Sequence, residues 1–163
     1  MVIFMKKNNK GFTLVELVVT FTILAILTVV TSLSLSVIFK NRAREAASDI
    51  DSLLTSCRVS ALCGEGKTPY VLIKKESGVY NAYLYTSSTG NAKTVEPLGS
   101  GFDVKYEKAG TKNNIAEGSQ LKLSYHRDTG AINEGSDISR IWVTSEYSID
   151  LKPLTGYHEI VKH

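Results

Sequence analysis

Lys6-Lys7-Asn8-Asn9-Lys10-Gly11-Phe12-Thr13-Leu14-Val15-Glu16 opens onto LVVTFTILAILTVVTSLSLSVIF, Leu17 to Phe39, which is 23 residues without a charge. A bilayer core of about 30 Å needs roughly 20 helical residues, so this run predicts a membrane-spanning helix. The apolar region of an ordinary signal peptide is shorter, about 7–15 residues. A buried core helix rarely runs this long without a charged face. Threonines and serines (Thr20, Thr22, Thr28, Thr31, Ser32, Ser34, Ser36) dilute the segment. Their hydroxyls can bond back to helix carbonyls, which makes them tolerable in lipid and useful where helices touch.

The helical pattern does not stop at Phe39. KNRAREAASDIDSLLTSCRVSAL, Lys40 to Leu62, contains no Gly or Pro. Ala43, Ala46, Ile50, Leu53, Leu54, Cys57 and Ala61 recur at spacings of three and four, the mark of an amphipathic helix. Gly64 and Gly66 end it. From Phe12 to Cys63 such a helix is about 78 Å long at 1.5 Å per residue. The amphipathic half must bury its stripe, and the rest of the chain supplies the cover.

That rest, Glu65 to His163, predicts β structure. Expected strands are Tyr70–Lys74, Val79–Tyr85, Phe102–Tyr106, Gln120–Tyr125, Ile138–Thr144, Tyr147–Leu151 and Tyr157–Val161, from alternation and turn residues. Glu76-Ser77-Gly78 and Arg127-Asp128-Thr129-Gly130 are turns, and Lys108–Ser119 is a polar loop. The fold class is therefore α+β, a long N-terminal helix packed on a mainly antiparallel sheet.

The N-terminal stretch resembles the processing site of a type IV prepilin: a short basic leader, Gly, then Phe-Thr-Leu-x-Glu and an apolar run. The resemblance covers about the first quarter of the chain. It implies cleavage after Gly11 by a prepilin peptidase, N-methylation of the new Phe12 amine and assembly with other pilin or pseudopilin subunits into a filament. On this reading residues 1–11 are a leader, 12–39 a transmembrane helix, 40–63 the amphipathic half of the spine and 64–163 a β-rich head. The subunit sits in the plasma (inner) membrane, head outside the cytoplasm, and passes from there into an extracellular or periplasmic filament.

The residues support this account. Gly11 lets a protease approach the backbone closely. Lys6, Lys7 and Lys10 hold the leader on the cytoplasmic side. Lys40, Arg42 and Arg44 flank the other end, so the motif rather than charge counting orients the span. Glu16 is a carboxylate at the edge of an apolar span, and such a group marks function by default. The resemblance names its partner, the Phe12 amine of a neighbouring subunit or its own. A negative charge there also suits the first helical turn. The head is similar, through short patterns such as Ser-Ile-Asp-Leu-x-Pro-Leu-Thr-Gly, to the minor pseudopilin called general secretion protein H and its fimbrial relative, in which two small sheets pack on the spine.

Composition bounds the alternatives. The 163 residues suit one domain of ordinary size. The net charge is +3, and removing the leader leaves 16 basic and 16 acidic side chains. A strong electrostatic grip on nucleic acid needs clustered Lys/Arg; a local patch at Lys105, Lys108 and Lys112 keeps a DNA-handling competence pseudopilin in view. Tyr80, Tyr83 and Tyr85 are read as sheet residues rather than base-stacking platforms. Cys57 and Cys63 are read as thiols, since six helical residues put them about 9 Å apart along the axis; a bridge needs the helix to end earlier. His126, His158 and His163 lack ligand spacing, and Asp128, Asp137 and Asp150, in or beside expected turns, are read as turn caps rather than calcium ligands. No metal, cofactor or catalytic constellation is expected. The favoured function is a non-enzymatic subunit of a type IV pilus or type II secretion-like filament; a competence pseudopilin and a membrane-anchored extracellular binding domain are the alternatives.

Overall fold

The structure is a computed structural model. It describes residues 13–64, 68–86 and 90–163, and for 30–39 the helical backbone alone. One helix, α1, runs Leu14–Leu62, and nine strands follow: β1 Tyr70–Glu76, β2 Val79–Tyr85, β3 Thr94–Gly99, β4 Lys105–Lys108, β5 Thr111–Asn114, β6 Gln120–Ser124, β7 Ile138–Trp142, β8 Tyr147–Lys152 and β9 Tyr157–Lys162. The chain divides into two units, one ending at Ile38 and one spanning Phe39–His163, and α1 contributes to both. The class is α+β.

In the second unit α1 presents the predicted stripe. Ala43, Ala46, Ala47, Ile50, Leu53, Leu54, Cys57 and Ala61 are all buried. Two antiparallel sheets share this core, with strand orders β3-β2-β1-β6 and β5-β4-β7-β8-β9. The first contributes Val71, Ile73, Tyr80, Ala82, Leu84, Leu121 and Leu123; the second contributes Ile138, Ile141, Ile149 and Leu151. Cross-strand neighbours such as Ile73↔Ala82 and Ile141↔Ile149 put one face of each sheet on the helix. Burying a side chain the size of Leu54 stabilises by about 1.5–3 kcal/mol, and the stripe repeats that gain along the helix.

The helix stops where expected. Gly64 takes φ +73° just past the last helical residue, the left-handed conformation that glycine adopts without strain. Cys57 is buried and Cys63 exposed, and both are free thiols. Burial pushes the Cys57 thiol up to about 12.

Two expectations about the strands are corrected, and one strand is added. The polar stretch Lys108–Ser119 is not a loop throughout: β4 and β5 form a hairpin across Ala109-Gly110, both at positive φ. That turn geometry matches the twist of paired strands, so it imposes a hairpin on a sequence with little β propensity. Glu107↔Lys112 is a register pair of opposite charge within it. β3 escaped notice because it contains Pro97, yet it is the edge of its sheet, where a missing N–H costs least. A register shift at Tyr80/Asn81 accommodates it. The strand expected at Phe102–Tyr106 lies at Lys105–Lys108. Asp150, inside the expected strand Tyr147–Leu151, holds Arg140 in a bidentate pair (2.5 and 2.8 Å).

Arg58 ties two turns to the helix. Its Nε donates to the Gly130 carbonyl (3.3 Å) and its Nη2 to the Thr155 carbonyl (2.9 Å). Gly130 and Gly156 meet there, both at positive φ, and a Cβ on Gly156 would lie 1.7 Å from the Gly130 carbonyl oxygen. Backbone rather than a movable side chain blocks the space, so Gly156→Ala should cost on the order of 2–3 kcal/mol, read as a lower thermal midpoint. An unchanged midpoint would mean that the two turns are not held together. The thiols give a second test: iodoacetamide should modify Cys63 in the native protein and Cys57 only after denaturation, by intact mass. Rapid double labelling would show that the stripe is not buried.

Candidate functional site

Thr13 precedes the first helical residue, and the Glu16 amide donates to its Oγ1 at 3.2 Å. Thr13 is thus the N-cap and Glu16 the third residue inside, the Thr-x-x-Glu spacing of a capping box. The cap satisfies one of the orphan donors of the first turn, and the Glu16 charge complements the positive end of the helix. The Thr-x-x-Glu spacing announces this cap in the sequence. Among the described residues the Glu16 carboxylate has no ion-pair partner. Gly11 and Phe12, the expected processing and methylation positions, lie outside the described residues.

Past the cap, apolar side chains are exposed around the whole helix circumference, from Leu14 (81%) through Val18 and Phe21 to Val29 (61%). The threonines return their hydroxyls to the backbone: Thr20 Oγ1 donates to Glu16 O (2.8 Å) and Thr22 Oγ1 to Val18 O (2.8 Å), with Thr28 Oγ1 to Ala25 O (2.8 Å). Each hydroxyl is thereby satisfied without water. Among the described residues no helix is long and apolar enough to cross a membrane. The side chains of 30–39, which belong to the expected span, lie outside that description.

In the second unit the three lysines of the suspected patch part company. Lys108 is in an ion pair with Asp137, which raises its pKa and lowers that of the carboxyl. Lys105 and Lys112 instead converge on Trp142, with Lys112 Nζ 3.6 Å from the ring centroid. Trp142 is the single tryptophan of the chain, and no local motif marks it. Its Nε1 donates to Glu107 Oε2 at 3.2 Å, and the His163 ring stacks at 4.7 Å between centroids. Only cross-strand register, Lys105↔Trp142 and Lys105↔Asn114, brings these residues together.

His158 does structural work. It is nearly buried, 3.1 Å from Thr55 Oγ1 and 3.7 Å from Asp51. Among the described residues no group of three His, Cys, Asp or Glu side chains is placed to hold a metal ion. The tyrosines are sheet residues, as read: Tyr80 is buried and donates to Ile115 O at 3.2 Å, while Tyr70 and Tyr85 stack across the β1–β2 register at 4.7 Å.

Residues 6–32 match the family model described as the prokaryotic N-terminal methylation motif, the signature of type IV pilins and pseudopilins. The match spans Lys6, Lys7, Lys10, Gly11, Phe12, Glu16 and most of the apolar run. No curated protein and no solved structure matches the chain.

The cap is testable by amide exchange. Thr13→Ala removes the acceptor for the Glu16 amide and should cost about 1 kcal/mol of local helix stability, a roughly fivefold faster exchange in the first turn. Unchanged exchange would show that Thr13 does not cap the helix.

Proposed function

We propose that the chain is a non-enzymatic structural subunit, a minor pilin or pseudopilin, of a type IV pilus or type II secretion-like filament. The observation that carries the reading is the conjunction of the methylation motif at residues 6–32 with an apolar helix exposed around its circumference. A helix with no polar face is stable only where lipid or other helices surround it. A pilin-type subunit meets both environments in turn, the plasma (inner) membrane before assembly and the filament core after it.

The roles follow residue by residue. A prepilin peptidase cuts after Gly11. The Phe12 amine is methylated and keeps its positive charge. Glu16, at the third position of a capped helix, is the acidic partner for that amine on a neighbouring subunit. In an apolar assembly an unpaired carboxylate is expensive, so pairing also sets how far one subunit slides along the next. The head stays outside the cytoplasm. Two antiparallel sheets on the amphipathic helix favour the branch that resembles general secretion protein H and its fimbrial relative. The ion pair that engages Lys108 weakens the basic patch on which a DNA-handling role depends.

Intact-mass and N-terminal mass spectrometry on protein from native membranes tests the proposal. The expected result is a chain beginning at methylated Phe12. A chain beginning at Met1, or one cut near Ser36, overturns it. Gly11→Phe should leave the leader in place. Glu16→Leu should insert into the membrane at least as well as the parent yet fail to enter filaments.

A further inference from the structure

A cavity of about 600 Å³ opens on the outer face of the β5-β4-β7-β8-β9 sheet. Three aromatic rings line it, Phe102, Trp142 and the His163 imidazole stacked on Trp142, with two cations, Lys105 and Lys112, and one side-chain carboxylate, Asp103. Thr144 and Ser145 add hydroxyls at one end. The size suits a small organic ligand, and the mixture of ring faces with a few convergent polar groups is the usual make-up of a binding site.

The charges define the ligand further. Neither Lys105 nor Lys112 has an ion-pair partner among the described residues, whereas nearby Arg140 is held by Asp150. The Lys112 ammonium rests on the Trp142 ring, an attraction worth about 0.5–1 kcal/mol at an exposed site. A ligand anion offers it a charge-assisted hydrogen bond, which is stronger. Asp103 works in the opposite sense. Its side chain is 63% exposed and its one ionic neighbour, Lys75, is 3.9 Å away. A carboxylate at the rim repels a densely charged polymer but accepts hydrogen bonds from hydroxyl groups. Glu107, fixed under Trp142 Nε1, adds to that repulsion.

From these residues we infer that the cavity binds an acidic saccharide, a sugar ring carrying one carboxylate. The carboxylate meets Lys105 and draws Lys112 off the Trp142 ring, which Lys112 and His163 otherwise cover; the sugar ring lies against Phe102, and its hydroxyls donate to Asp103. The inference concerns the second unit alone and holds whether or not the chain enters a filament. It supplies the head with a surface ligand of defined chemistry.

Trp142 is the chain's single tryptophan, so its fluorescence reports occupancy directly. The full chain in a polyoxyethylene detergent is titrated with oligogalacturonate, oligogalactose, inorganic phosphate and oligodeoxythymidylate. Saturable change with oligogalacturonate, with oligogalactose and phosphate at least about tenfold weaker, supports the site. Lys112→Ala lies on an exposed edge strand and should leave folding intact while weakening oligogalacturonate about tenfold. Asp103→Asn should weaken it less and should strengthen phosphate. Equal response to phosphate would reduce the cavity to a bare anion site and overturn the inference. Tighter binding of oligodeoxythymidylate would make it a nucleic-acid surface and overturn it too. No response to any probe, with the far-ultraviolet spectrum of a folded chain, also overturns it.

Discussion

The apolar stripe of α1 from Ala43 to Ala61 has to be taken out of water, and the second unit is arranged around that requirement. Its small members, Ala43, Ala46, Ala47 and Ala61, let strands come close; its large ones, Ile50, Leu53 and Leu54, fill the space between. A single sheet covers one side of a helix. Here two sheets contribute to one continuous core, so the stripe is buried along its length. The cost of ordering nine strands is offset largely by that shared apolar area.

The polar contacts then decide how the pieces are pinned. Arg58 stands beside the stripe and reaches the carbonyls of Gly130 and Thr155, two turns that would otherwise be independent loops. Ile132 N donates to Pro153 O at 2.8 Å and closes the same junction. Glu117 plays a similar part at the first hairpin, where its carboxylate accepts the amides of Ser77 (2.5 Å) and Gly78 (3.3 Å). Each device satisfies backbone groups that a turn leaves unpaired. The outer faces of the sheets are freed from core packing, and the Lys105–Lys112–Trp142 cluster is built on one of them.

The first unit obeys a different solvent. Among its described residues apolar side chains are exposed all round, Thr20, Thr22 and Thr28 bond back to the helix backbone, and Glu16 in the capped first turn is the one charged side chain. Amphipathic packing and all-round apolarity are two answers to one question, what each part of α1 is meant to touch. A chain with both, carrying the methylation motif over residues 6–32, fits the subunit role proposed for it.

Much of this was legible in the residues. Charge-free length and three-four spacing depend only on neighbours along the chain, so the helix, its stop at Gly64 and its buried face could be read directly; the Gly-Phe-Thr-Leu-x-Glu resemblance marked Gly11, Phe12 and Glu16 as candidate positions. Strong alternation likewise marked β1, β2, β6 and β8. The β4–β5 hairpin could not be read, because Thr111-Lys112-Asn113-Asn114 is held in place by a left-handed turn and a partner strand rather than by its own propensity. β3 was hidden by a proline that only an edge position tolerates. The cavity was hidden for a deeper reason: Phe102, Lys112 and Trp142 are far apart in sequence and meet through strand register. Local periodicity determined which surfaces must be covered; tertiary pairing alone decided which side chains would share the surfaces left open.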